Sequence, residues 1–469
     1  QSNYPISAII RPNDPKLMLS MVQDRIKEKE FFMLNDKMKI REFNTAAISG
    51  SYPASGITSA VISLGSKALN PAMMRLAGIS LLLALLAIIQ PVTAAGQQLE
   101  RQGDHVAGSI YYGLATAQVY QGLMVTAVRL DTTGNLKLIA WEVSGNGLGN
   151  VAGGEQIVRK GDVVSPGKVT NIAVVNTGFH RVVTAARDQD GNLQLILWQI
   201  SQDGLQIEKK DEHVAGGVTD IALTSPRPNQ FVTAVRLASG KLKLIVWKIL
   251  DGHLIDRRGE YTAGAITKVS AVSTGALGNG SGLVTAVRLK SDGSLKLIAW
   301  WISYDGLTVE RRGSAVDQAV TQVAIAHSGG YAEPGFTNAQ DVVVTAVRDG
   351  DGNLKLISWW VSEDSAQTIT RKDDSSDGPI GGVSSKLAIT RVGTPFHSDR
   401  LITSSRDGSG NLKLIAWDVA SDGQITRQGD ASAGAIGDLA ANRVWSNYLV
   451  TAVRTASGNL KLIAWKHSF

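Results

Sequence analysis

The sequence predicts an all-β fold of seven similar units, each of four antiparallel strands, on three observations. One string of residues recurs seven times along the chain. Each copy reads as short strands joined by tight turns. The last copy stops one strand early, and the beginning of the repeat region supplies a matching strand.

The recurring string is clearest at Met124-Val125-Thr126-Ala127-Val128-Arg129, followed by Gly134-Asn135-Leu136-Lys137-Leu138-Ile139-Ala140-Trp141. Its tryptophans are Trp141, Trp198, Trp247, Trp300, Trp359, Trp417 and Trp465, spaced by 57, 49, 53, 59, 58 and 48 residues. A fixed period of this length marks a repeat architecture.

The first strand of a unit follows a Gly-rich loop, as in Ala265-Ile266-Thr267-Lys268-Val269. The second is the Val-Thr-Ala-Val-Arg segment. The third alternates: Leu136, Leu138 and Ala140 face one way, and Lys137, Ile139 and Trp141 the other. Between second and third lie turns such as Asp190-Gly191-Asn192, Asp351-Gly352-Asn353 and Ser457-Gly458-Asn459, whose Gly and Asn accept the positive φ of a tight hairpin. The fourth is typified by Leu254-Ile255-Asp256-Arg257 and Gln424-Ile425-Thr426-Arg427.

Seven units of four strands is the arithmetic of a seven-bladed β-propeller over residues 96–469. The chain ends at Trp465-Lys466-His467-Ser468-Phe469, just after a third strand. Gln98-Leu99-Glu100-Arg101-Gln102-Gly103-Asp104 matches Ile425-Thr426-Arg427-Gln428-Gly429-Asp430. The N-terminal strand is therefore expected to complete the last blade and close the ring, leaving only short, protected edges. A solenoid would have no use for the displaced strand. The pattern resembles bacterial secreted β-propellers and, more distantly, WD-repeat and lectin propellers. The Gly-His and Trp-Asp signature of WD repeats is absent, and the resemblance implies architecture rather than activity.

Residues 73–95 read as a signal peptide or signal anchor. Met73, Met74 and Arg75 precede the apolar run Leu76 to Ala95, and Val92-Thr93-Ala94-Ala95-Gly96 is a small-residue cleavage pattern. Residues 1–72 are then either outside the translated protein, with synthesis starting at Met73 or Met74, or a cytoplasmic segment before one membrane pass. The expected location is secreted, periplasmic or cell-surface. A membrane is a partner only if residues 76–95 remain as an uncleaved anchor.

There is no cysteine, so disulfides and thiolate chemistry are excluded. The formal charge of +6 is spread along the chain without the basic stripe of a nucleic-acid reader, so no nucleic-acid partner is expected. The histidines show no zinc-ligand spacing. Asp188-Gln189-Asp190 and Asp349-Gly350-Asp351 resemble short calcium loops, but Ala238-Ser239-Gly240 and Ala456-Ser457-Gly458 occupy the same turn without acids, and hairpin chemistry accounts for them all. No cofactor is otherwise expected.

Three polar positions repeat. An arginine ends every second strand: Arg129, Arg187, Arg236, Arg288, Arg348, Arg406 and Arg454. A threonine stands three places earlier: Thr126, Thr184, Thr233, Thr285, Thr345, Thr403 and Thr451. An acid follows the fourth strand at Asp104, Asp162, Glu212, Glu260, Asp374 and Asp430, with Ser314 breaking the series. Groups needed once for chemistry do not recur six or seven times, so these read first as ties between blades, with the arginine reaching the loop acid. Read as a binding ring, the same six acids join Trp301, Trp360 and Tyr331 as candidate ligand contacts. Trp301 and Trp360 occur only in units four and five, which also carry the longest loops, His327 to Asp341 and Thr274 to Gly282.

The first-strand position expected to line the channel reads Gly113, Asn171, Asp220, Lys268, Gln322, Lys386 and Asp438. The expected function is a non-catalytic binding or interaction scaffold for a protein or glycan. The alternatives are a multivalent lectin and a carbohydrate-active enzyme using a carboxyl pair at the channel mouth.

Overall fold

The computed structural model describes residues 99–144, 157–277, 280–331, 340–362, 367–382, 386–393 and 399–467. The upstream segment 1–72 and the apolar segment 73–95 lie outside these residues, as do most of the 327–341 loop and the side chain of Tyr331. Among the described residues all regular structure is β, and no helix is long and apolar enough to cross a membrane.

Twenty-two strands follow one another: β1 (Leu99–Tyr120), β2 (Leu123–Leu130), β3 (Asn135–Val143), β4 (Ile157–Gly178), β5 (Arg181–Asp188), β6 (Asn192–Ile200), β7 (Ile207–Arg227), β8 (Gln230–Leu237), β9 (Lys241–Leu250), β10 (Leu254–Leu277) and β11 (Gly280–Leu289). Next come β12 (Ser294–Ser303), β13 (Val309–Tyr331), β14 (Gln340–Asp349), β15 (Asn353–Ser362), β16 (Ile369–Pro379), β17 (Leu387–Val392), β18 (Asp399–Arg406), β19 (Asn411–Val419), β20 (Ile425–Trp445), β21 (Tyr448–Thr455) and β22 (Asn459–His467).

This corrects the expectation of separate four-stranded blades closed into a ring. The strands form a single antiparallel sheet of 22, and that sheet is not closed. β1, β4, β7, β10, β13 and β20 are each 21 residues or longer. Each serves as the fourth strand of one unit and, past a bulge, as the first strand of the next. In β10, for example, Leu254–Ala265 pairs with β9 and Ile266–Leu277 pairs with β11.

The opening lies between β16 and β17, which no ladder joins among the described residues. Ile380 and Lys386 are six positions apart, where Ile266 and Lys268 are two apart, and Pro379 contributes no amide hydrogen to a ladder. The N-terminal half of β1 does pair with β22, from Leu99 opposite His467 to Val106 opposite Lys461. That pairing joins the first and last described strands without closing the sheet.

Packing runs between neighbouring units. Val232 and Leu244 of unit three meet Ile266, Leu283, Ile298 and Trp300 of unit four. A like cluster sets Met124 and Trp141 of unit one against Val450 and Leu462 of unit seven. The third strand is buried on both faces, more completely than its alternation suggested: Leu138, Ile139, Ala140 and Trp141 are all within 4% of full burial. All seven repeated tryptophans are at most 1% exposed. Each indole Nε1 donates to the repeated threonine of its own unit at 2.9–3.0 Å. A buried indole needs such a partner.

Candidate ligand-binding site

The hairpin between the second and third strands sets the repeated arginine. Gly191, Gly352 and Gly458 take positive φ, of 85°, 92° and 86°. A Cβ at Gly352 would sit 2.6 Å from Nη2 of Arg348, so glycine also clears the path of the guanidinium. Asp188 and Asp349 accept the backbone amides of Asn192 and Asn353 at 2.7 and 2.8 Å, bracing the same turns.

The arginines do not reach the loop acids. Nε donates to a backbone carbonyl of the next unit's first strand: Arg187 to Val218 at 2.8 Å, Arg236 to Ile266 at 2.7 Å, Arg288 to Val320 at 2.6 Å and Arg454 to Ile110 at 2.9 Å. Arg348 makes a longer bond to Ile380 at 3.5 Å. Arg406 turns to Gly410 in its own hairpin. A neighbour's exposed backbone oxygen is invisible to reasoning about side chains, which is why the acids were the expected partners.

The loop acids pair instead with the basic residue three places earlier and with a third-strand side chain. Asp104 meets Arg101 and Lys461; Asp162 meets Arg159 and Lys137; Glu212 meets Lys209 and Gln194. Glu260 meets Arg257 and Lys243; Asp374 meets Arg371 and Lys355; Asp430 meets Arg427. The Lys461 hydrogen bond holds Asp104 below the ordinary carboxylate range, and Lys243 does the same for Glu260. At Asp162 and Asp374 partial burial pulls upward, but the paired cations prevail. Where the series breaks, Arg311 donates to Ser314 Oγ at 3.2 Å.

Trp301 and Trp360 are half-buried, and a cation covers each ring. Arg312 lies 5.5 Å from the centre of Trp301 and Lys372 Nζ 3.2 Å from the centre of Trp360. The predicted contacts are thus distributed over separate units rather than gathered into one pocket.

The first-strand residues do converge. Gly113, Asn171, Asp220, Lys268, Gln322, Lys386 and Asp438, one from each unit, all line a single cavity of about 420 Å³. Its wall is tied across units. Asn171 Nδ2 donates to the Thr219 carbonyl at 2.6 Å, the Val269 amide to Asp220 Oδ2 at 3.1 Å, and Gln322 Nε2 to the Gly382 carbonyl at 3.1 Å. Asp438 Oδ2 accepts the Gly113 amide at 2.8 Å, and its Oδ1 accepts the Leu439 amide at 2.9 Å and lies 3.5 Å from Lys386 Nζ. Lys386 also donates to the Leu114 carbonyl at 2.6 Å. Burial pushes the Asp220 carboxyl above its ordinary value, against the pull of Lys268 and the amides of Val269 and Ile221.

Tyr112 and Arg129 also line this cavity, and neither was singled out as a channel residue in the sequence. A signal was present. Between Ile110 and Leu114 stand three residues, where Ile266 and Val269 enclose two, and the insertion brings two adjacent tyrosines. Tyr111 and Tyr112 are 41% and 51% exposed.

A second cavity, of about 610 Å³, lies among Gln118, Tyr120, Asn176, Arg443 and Trp445, toward the far ends of first strands. Arg443 donates to the Gly393 carbonyl at 3.2 Å. Burial, with Arg391 nearby, lowers its pKa.

No protein-family model and no curated protein matches this sequence. Among solved structures the chain is similar to AofleA from Arthrobotrys oligospora, with a TM-score of 0.44, 12% identity, and 72% of this chain and 93% of that chain covered. An arginine-to-alanine triple mutant of AofleA scores 0.45 at 11% identity, over 73% and 94%. Sqt1 from Saccharomyces cerevisiae scores 0.43 at 12% identity, over 77% and 86%. Likeness at this level assigns neither a family nor a function.

Proposed function

We propose that this protein is a non-catalytic binding scaffold, acting at the cell surface or outside the cell, whose ligand site is the seven-sided cavity. One observation carries the reading. At the repeated threonine and tryptophan the same residues make the same bond in all seven units, whereas the cavity position carries five different residue types in seven units. A volume of about 420 Å³ falls within the usual range of small-molecule pockets, about 300–1,000 Å³. The loop acids are weaker candidates for a multivalent lectin ring, because a sugar hydroxyl would have to displace cations already bonded to them.

The test is a glycan-array screen of the purified full chain, repeated with Asp438→Asn and Asp162→Asn, in calcium and in EDTA. Binding lost with Asp438→Asn and kept with Asp162→Asn supports the cavity. The reverse pattern would move the site to the loop acids. Loss in EDTA alone would promote the Asp188 and Asp349 turns.

A second reading rests on Asp220. A buried carboxyl held protonated at higher pH is suited to a general acid. Hydrolysis of an array hit, abolished by Asp220→Asn with binding retained, would replace the scaffold reading with that of a carbohydrate-active enzyme.

A further inference from the structure

Unit one departs from the pattern of units three, four and five. In units three, four and five, the repeated arginine is held twice. Its Nε donates to the next unit's carbonyl, and its Nη1 donates to a first-strand threonine: Arg236 to Thr219, Arg288 to Thr267 and Arg348 to Thr321, at 2.7, 2.9 and 3.1 Å. In unit one Tyr111 stands where that threonine would be. Arg129 makes neither bond. Its guanidinium lies 4.3 Å from the centre of the Tyr111 ring, and its Nε is buried without a hydrogen-bond partner. A buried polar group left unmade is costly and asks for an explanation. The neighbouring lining position is Gly113, which has no side chain to stand between Arg129 and the cavity.

The charges around the cavity are unevenly satisfied. Its two carboxylates are occupied: Asp438 by two amides and Lys386, and Asp220 by the amides of Val269 and Ile221. Lys386 is spent on Asp438 and the Leu114 carbonyl. Among the described residues, Arg129 and Lys268 line the same cavity and neither is within salt-bridge distance of a carboxylate, although Lys268 acts on Asp220 through its charge. The Tyr112 ring, which lies 4.8 Å from the Arg454 guanidinium, gives the same cavity an aromatic wall.

We propose that the cavity takes a small carboxylate-bearing ligand, its anionic group drawn to Arg129 and Lys268, neither of which is held in a salt bridge. This rests on the cavity being the ligand site. Arginine offers a carboxylate a bidentate donor pair, and charge-assisted bonds of this kind are stronger than neutral ones. Release of Arg129 from the inter-unit tie is what makes it available.

Isothermal titration of the full chain with glucuronate, glucose and succinate tests the proposal. The expected result is saturable binding of glucuronate, of succinate or of both, with glucose at least about tenfold weaker and the affinity falling as salt is raised. Arg129→Gln and Lys268→Gln should each weaken the carboxylate by about tenfold or more with the unfolding midpoint preserved. Succinate binding alone would point to a plain organic acid, and glucuronate alone to an acidic sugar. Equal binding of glucose and glucuronate would overturn the anion proposal and leave the scaffold reading standing. Absence of binding to either carboxylate at about 10 mM would also overturn it, and an empty glycan array besides would remove the cavity-scaffold reading as well.

Discussion

The threonine–tryptophan pairs and the cavity wall occupy equivalent positions in all seven units, yet they are built on opposite principles. At the pairs, one hydrogen bond of 2.9–3.0 Å is repeated seven times between residues at most 1% exposed. At the wall, glycine, asparagine, glutamine, aspartate and lysine fill a single register position, some donating to backbone carbonyls and others accepting backbone amides. Packing sets the same demand on every unit, so its solution repeats. A pocket shared by seven units meets one ligand, and each unit contributes a different part of the contact.

The sharpest way to break this comparison is to cut a repeated pair. Trp300→Ala should lower the unfolding free energy by about 3–5 kcal/mol in chemical denaturation, and Trp198→Ala should cost about the same. Thr285→Val, which strands the buried indole nitrogen of Trp300, should cost about 1–3 kcal/mol. If either change left the denaturation midpoint in place, the pairs would not be the common core element.

His467 is an exception inside the core and sharpens the contrast by pH. Its position holds Val143, Ile200, Ile249, Ile302, Val361 and Val419 in the other units. Burial lowers its pKa to about 4. The unfolded chain takes up the proton near the ordinary value of 6.5, while the folded chain resists until about 4. The stability is therefore fully present above pH 6.5 and is lost as pH falls toward 4, by as much as about 3 kcal/mol. Urea unfolding at pH 7 and pH 4.5 should show that slope, and His467→Ile should flatten it. Equal slopes in the two proteins would contradict the assignment.

Smaller effects separate the two kinds of arginine. Arg288→Met removes a charged hydrogen bond to the Val320 carbonyl and should cost about 1–3 kcal/mol. Arg129→Met removes an Nε that has no hydrogen-bond partner and should cost less, by thermal or chemical unfolding. Similar losses would place Arg129 back among the structural ties. Least of all, Asp162→Asn should shift stability by under about 1 kcal/mol, because its pairs with Lys137 and Arg159 are partly solvated.

The sequence by itself determined the period, the strands and their turns, since hydrophobic alternation and Gly-Asn hairpins are local properties. It also determined the pairing of Leu99–Val106 with β22 and the seven residues that share the cavity, because repetition turns one register assignment into seven. Only the tertiary structure decided how the pieces join. Continuous strands such as β10 carry two roles through a bulge, and no ladder joins β16 to β17 among the described residues, because strand continuity depends on backbone geometry that side-chain identity does not encode. It also decided which arginine is free. Six of the seven are tied within the fold by carbonyl oxygens that belong to no particular residue type, and Arg129 differs through one inserted residue and a tyrosine where units two to five have threonine.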